Sequence, residues 1–189
     1  MPRGPDSIGE SFDQVLAAAQ ANAPWAFNRL YQAFAGKVAG YLRVQGASEP
    51  DDLTSEVFLG AFSTIRSFTG SEPQFRSWLF TIAHRRLTDE RRRRYRQPPL
   101  SGSPPAESQA HAADAEGEAL RRVGEERVRE LCGRLVPDQR DVLLLRLLAD
   151  FTVEQVAEAL GKSQGAVKAL QRRGIAALRK ELEREGVTL

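Results

Sequence analysis

Lys168, Arg172, Arg173 and Arg179 fall on one side of a single helical stretch, with the small residues Ala169 and Ala176 between them. Cations interleaved with small residues let a helix backbone approach DNA while the long side chains reach phosphates and base edges. A solvated basic face would carry the same residues. A second cationic set, Arg85, Arg86, Arg91, Arg92, Arg93, Arg94 and Arg96, is too large for the neighbouring acids to pair. A helix end favoured by its dipole is the plain explanation, but two such surfaces in one chain favour phosphate contact. Phe68 lies in a Gly-containing loop with little helix core to join, so it suits stacking on, or holding a place for, an unpaired base. Phe75 and Trp78 read as core. Asp52, Leu53 and Glu56 occupy neighbouring turns beside an apolar face of Val57, Phe58, Ala61 and Phe62. First-turn acids that suit the helix dipole and a docking face for a basic partner helix explain that set equally well.

The elements that position these residues can be read from local chemistry. Thr152 with Gln155 forms a capping box, and Val153, Val156, Ala157 and Leu160 follow as an apolar stripe at helical spacing. Gly161 supplies a left-handed stop, and Ser163 caps the next helix a few residues later. Helix, tight turn and basic helix make a helix-turn-helix over Phe151–Leu182. Val167, Leu170, Gly174, Ile175, Leu178 and Leu182 share the arc expected to face the core. The capped short helix in front of the basic one favours DNA contact over a merely solvated face.

Four helices are expected in the N-terminal block. The first is Ser11–Ala21. Asn22 caps the second, with Pro24 in its first turn, and it runs to about Val44. Ser48 with Asp51 opens a third through Phe62, and Ser71 with Gln74 opens a long fourth through at least Arg92. The C-terminal block adds a helix over 118–136 with Leu120, Val123, Val128, Leu131 and Leu135 on one side, then Asp138–Ala149, then the helix-turn-helix.

Between the blocks, residues 97–117 are rich in Pro, Ser, Ala and acids and hold one large aliphatic residue, Leu100, so they form a flexible linker. Strand-like alternation is missing. The expected fold is therefore all-α, with two small helical domains, 1–96 and 118–189. The net charge of +2 over 189 residues hides its distribution. Lys and Arg outnumber Asp and Glu by 13 to 10 over residues 1–96 and 14 to 11 over 121–189, whereas 97–120 has 4 acids and no base. Two mildly basic blocks suggest local nucleic-acid contacts rather than a chain coated in positive charge. Cys132 is the single cysteine, which excludes an internal disulfide and reads as a small buried residue. No signal core or membrane-length apolar run is present, so a cytoplasmic location without membrane insertion is expected. His84 and His111 are isolated, and no phosphate-cradling Gly loop or nucleophile–base set is visible. No enzyme, cofactor, metal or small-molecule substrate is expected.

The stretches DDLTSEVFLGAF, SFTG and FRSWLFTIAHRRLTDERRRR resemble the second conserved region of bacterial sigma factors. LVPDQRDVLLLRLLADFTVEQVAEALGKSQGAVKALQRRGIAALRKEL resembles their fourth. Those two regions alone, on a short linker, are the arrangement of the extracytoplasmic-function (ECF) group of the sigma-70 family. The resemblance implies core RNA polymerase and promoter DNA as partners, with an anti-sigma factor as a further possible one. It implies polymerase docking through Asp52, Leu53, Glu56 and Phe58. A −10 element surface would comprise Phe68, Arg76, Arg85, Arg86, Arg92 and Arg93. A −35 surface would comprise Ser163, Gln164, Lys168, Ala169, Arg172, Arg173 and Arg179. Ser55 stands where Gln is usual and Arg85 where many relatives carry Asn, and a cation there suits backbone contact better than base readout. The competing reading is a free-standing helix-turn-helix regulator that binds a duplex operator without polymerase.

Overall fold

A computed structural model of the chain describes Ile8, residues 11–96, Gly124 and residues 126–186. The expected linker and the first residues of the expected 118–136 helix lie outside these. All regular structure among the described residues is helical, and they fall into two compact units, one mainly N-terminal and one mainly C-terminal, with Arg43–Ser48 grouped with the second.

The N-terminal unit contains α1 (Phe12–Gln20), α2 (Pro24–Val44), α3 (Pro50–Thr64), a single 3-10 turn (Ile65–Ser67) and α4 (Glu72–Arg96). Asn22 does not cap α2. It takes a left-handed φ of 62° and closes α1 instead. The amides of Ala23 and Asn22 donate to the carbonyls of Ala18 and Ala19, a double closure that Asn permits because it tolerates this backbone better than most residues. Glu49, not Ser48, holds the N-cap position of α3, and its side chain makes no capping bond. Pro50 at the first helical position sets that start, since its fixed φ suits the helix and its missing N–H costs nothing there. On α2, Leu30, Phe34, Val38 and Leu42 form a buried stripe at helical spacing, with Phe27 half-buried at its start. They meet Phe75, Leu79, Phe80, Ala83 and Leu87 of α4 and Leu53, Val57, Phe58 and Ala61 of α3 in the buried core. The buried Tyr41 hydroxyl finds its partner in His84 Nδ1, 2.9 Å away. Burial on α4 stops at Leu87, and Arg92–Arg96 are all exposed.

In the C-terminal unit a helical segment, α5 (126–133), precedes α6 (Pro137–Leu147), α7 (Val153–Leu160) and α8 (Gln164–Arg184). Of the expected stripe, Leu135 is buried and Leu131 half-buried, but Val128 is 43% exposed, and Leu120 and Val123 lie outside the described residues; Cys132 is buried as well. Only the carboxyl end of this segment is packed. Arg140 seals that end, its Nε donating to Cys132 O at 2.8 Å and Nη2 to Gly133 O and Leu135 O at 3.2 Å each. Carbonyls at and just past a helix end lack the amide one turn on, so a guanidinium is a fitting cap. The Cys132 thiol has its pKa raised by burial, with Arg140 pulling the other way. Gly174 is where α8 crosses α6, because a Cβ there would lie 2.8 Å from Leu143 Cδ1.

Candidate nucleic-acid and polymerase-docking surfaces

The helix-turn-helix forms by the chemistry read from its sequence. Thr152 N–H donates to Gln155 Oε1 at 2.8 Å, and Gln155 N–H donates to Thr152 Oγ1 at 3.2 Å. Gly161 takes φ 62° at the end of α7, and Ser163 Oγ accepts from Ala166 N–H at 3.2 Å to start α8. Val167, Leu170 and Gly174 are buried on α8, but Ile175 is not, at 44% exposure. Ile175 instead lines a shallow groove with Leu147, Leu178, Leu182 and Arg179. The arc expected to face the core includes Ile175, but α6 crosses at Gly174, and Leu178 and Leu182 beyond it are only half-buried. Ser163, Gln164, Lys168, Arg172, Arg173 and Arg179 are exposed, and Ala169 is half-buried. Arg173 Nε donates back to Ala169 O at 3.3 Å, which holds its stem along the helix. The carboxyl pKa of Glu154, on α7, is lowered, mainly by local hydrogen bonds and also by Lys168 and Arg146.

In the N-terminal unit the candidate residues separate by face. Asp52 and Glu56 are exposed on α3, but Leu53 at 5% and Phe58 at 2% are buried. Phe58 packs on Tyr31 and Phe62, with ring centroids 4.8 and 5.5 Å away. Those two side chains are packed in the core, which leaves Asp52 and Glu56 as the exposed members of the expected docking set. What accompanies the acids outward is Ser55 and Leu59, the latter 70% exposed. A wheel carried the information: at about 100° per residue, Ser55, Glu56 and Leu59 all lie within about 60° of Asp52, while Leu53 and Phe58 lie outside that arc.

Phe68 has a core to join after all. Its ring meets Phe75 edge-on at 5.4 Å and leans on Trp78 at 5.0 Å, and the residue is half-buried. The loop sits over the aromatic start of α4, so Phe75 and Trp78 supply the packing its own segment lacks. Arg76 is half-buried, and Arg85, Arg86, Arg92 and Arg93 are exposed. Two of these cations have acidic neighbours, Arg86 with Glu56 at 4.0 Å and Arg92 with Asp89 at 3.8 Å. Exposed pairs of this length hold the arginines weakly and leave them available to phosphates. No group of metal-ligating side chains occurs among the described residues, and no described helix is long and apolar enough to cross a membrane.

Two family descriptions match the chain: Sigma-70 region 2 over residues 29–97, and Sigma-70, region 4 over residues 133–180. The ECF RNA polymerase sigma factor SigK of Mycolicibacterium vanbaalenii is 32% identical over 152 residues, covering 77% of this chain and 74% of SigK. The chain belongs to the ECF sigma factors of the sigma-70 family. This sigma factor is also 32% identical over 176 residues to the ECF RNA polymerase sigma factor BldN of Streptomyces coelicolor. It covers 92% of its own length there and spans 66% of BldN. Its fold is similar to that of CnrH in complex with the cytosolic domain of CnrY, with a TM-score of 0.65 at 23% identity over 93% of this chain and 99% of that one. Sigma factors are transcription-initiation factors, which act with RNA polymerase on promoter DNA.

Proposed function

We propose that this ECF sigma factor docks on core RNA polymerase through the outward face of α3, made by Asp52, Glu56 and Leu59. Acids flanking one exposed leucine suit a basic, partly apolar helix. The loop at Phe68 and the exposed cations Arg85, Arg86, Arg92 and Arg93 of α4 then meet the −10 element, with half-buried Arg76 beside them. The amino-terminal half of α8, with Ser163, Gln164, Lys168, Ala169, Arg172 and Arg173, reads the −35 element. Arg179 lies farther along α8, beside the apolar groove, and suits a phosphate at the edge of that contact. Residues 1–96 and 118–189 are the two working domains and 97–117 the linker. The protein works in the cytoplasm, where polymerase and chromosome are, and supplies no catalytic residue of its own. Control by an anti-sigma factor has support from the apolar groove of Leu147, Ile175, Leu178 and Leu182 on the C-terminal unit.

The observation that carries this reading is the pairing of a capped helix-turn-helix in one unit with a basic helix and aromatic loop in the other. Run-off transcription with core polymerase and a promoter pool tests it. Transcripts from a defined −35/−10 class are expected. Transcription no higher than core polymerase alone, together with tight polymerase-free binding to a palindromic operator, would show a free-standing regulator instead.

A further inference from the structure

Seven residues, Ile65–Ser71, carry the chain from α3 to α4 with Phe68 near the middle. Exposed loops are ordinarily the more mobile parts of a domain, yet this one is pinned on both flanks by glutamine side chains. Gln20, the last residue of α1, directs its amide at two carbonyls, donating to Ile65 O at 3.1 Å and Phe68 O at 2.7 Å. The Gln NH₂ carries two N–H donors, one for each carbonyl. The Ile65 carbonyl also receives Phe68 N–H at 3.0 Å, so Gln20 clasps the turn at both its ends. On the far flank, Gln74 Oε1 accepts from Ser71 N–H at 2.8 Å and from the Ser71 hydroxyl at 3.1 Å. Gly70 makes room for that contact. It adopts φ 151°, and a Cβ there would lie 2.8 Å from Gln74 Oε1. Gln20 is itself fixed in place, because the double closure at Asn22 and Ala23 ends α1 directly after it and Phe12 anchors the helix on Phe75 at 5.7 Å.

We infer that Gln20 is a positioning residue for promoter recognition: its two-carbonyl clasp presets the backbone of the Phe68 loop in the shape that receives the unpaired −10 strand. This rests on the proposal that the loop meets the −10 element. A preset loop loses little conformational freedom on binding, so a base that fits gains its full contact energy and one that does not gains none. Removing the clasp should therefore erode discrimination more than it erodes folding.

The test uses the full chain assembled with core polymerase, comparing open-complex formation on a cognate promoter with that on single-base −10 variants. Gln20→Glu keeps the size of the side chain but turns both donors into acceptors facing carbonyls. It should reduce the cognate-to-variant ratio by roughly tenfold, the scale of losing one to two hydrogen bonds. Polymerase capture and discrimination among −35 variants should stay as in the parent. Gln20→Lys, which restores a donor at similar reach, should recover most of the ratio. Gln20→Ala is the second variant should the carboxylate disturb folding. An unchanged ratio in a folded Gln20 variant overturns the inference, as does an equal loss on all promoters accompanied by a lower melting temperature. Phe68→Ala, run in parallel, separates the two levels. If it flattens −10 discrimination and Gln20→Glu does not, the clasp alone fails. If neither variant alters discrimination, the loop does not read the −10 element.

Discussion

Leu53 and Leu59 lie about 120° apart around α3 and have opposite environments, one buried and one exposed. Leu53→Ala should cost about 2–5 kcal/mol of stability, as deletions from a packed core do, and denaturant unfolding would register it. Leu59→Asp should leave stability within about 0.5 kcal/mol of the parent while abolishing capture of core polymerase. Undiminished capture would remove α3 from the docking surface. On α8, Arg172→Ala should lower transcription from the cognate promoter by about 1–3 kcal/mol relative to −35 variants if the side chain reads a base. A uniform loss with a shallower salt dependence would make it a phosphate contact. Among single residues, the exposure of most cationic ones was legible because long charged side chains on a helix seldom bury, Arg76 being half-buried. The apolar docking candidates were harder. Leu53 and Phe58 lie next to the acids in sequence, but 3.6 residues per turn carries them to the core side, and Leu59 emerges beside the acids instead of Phe58.

At the scale of elements, features set by neighbouring residues could be read closely. Thr152, Gln155, Gly161 and Ser163 each make the cap or stop their types imply, since such bonds need no distant partner. Asn22 and Ser48 went differently because a small polar residue near a helix start has a competitor. Asn22 closes the preceding helix, and Pro50 moves the start of α3 past Ser48. Helix crossings depend on side chains far apart in sequence, which explains exposed Ile175 and Val128. Gly174→Ala should be destabilising by about 1–3 kcal/mol, the cost of overpacking, because Leu143 must yield. Arg134 and Arg127 tie α5 and the residues after it to Glu181 and Glu185 near the carboxyl end of α8, with Arg134 Nη1 2.6 Å from Glu181 Oε2. The hydrogen bond from Arg134 is the main cause of a lowered Glu181 pKa. A carboxylate whose folded value is depressed contributes stability that is complete above its unfolded pKa and is lost as pH falls through the folded one. Urea midpoints measured down a pH series should therefore drop in that acid window, and Arg134→Met should flatten the drop.

For the whole molecule, the near-balanced charge argues against strong independent grip on DNA. Each unit offers a modest set of cations rather than a continuous basic surface. Promoter binding by the protein alone should be weak and fall steeply with added salt, as phosphate-dominated contacts do. Addition of core polymerase should tighten binding and make it sequence-dependent, and gel-shift titrations at two salt concentrations would measure both. The two-block, all-helical plan was legible because helical periodicity and composition both change sharply around residues 97–117. The clasp on the Phe68 loop was not, since nothing in the neighbourhood of Gln20 announces a partner 48 positions away.

The buried Cys132 bears on how this protein can receive information. Its thiol is shielded and held mostly protonated, the state in which sulfur neither attacks disulfides nor reacts readily with peroxide. With no second cysteine in the chain, the protein carries no thiol pair to oxidise. Cys132 is therefore a poor oxidant sensor, and no disulfide within these residues can act as a switch.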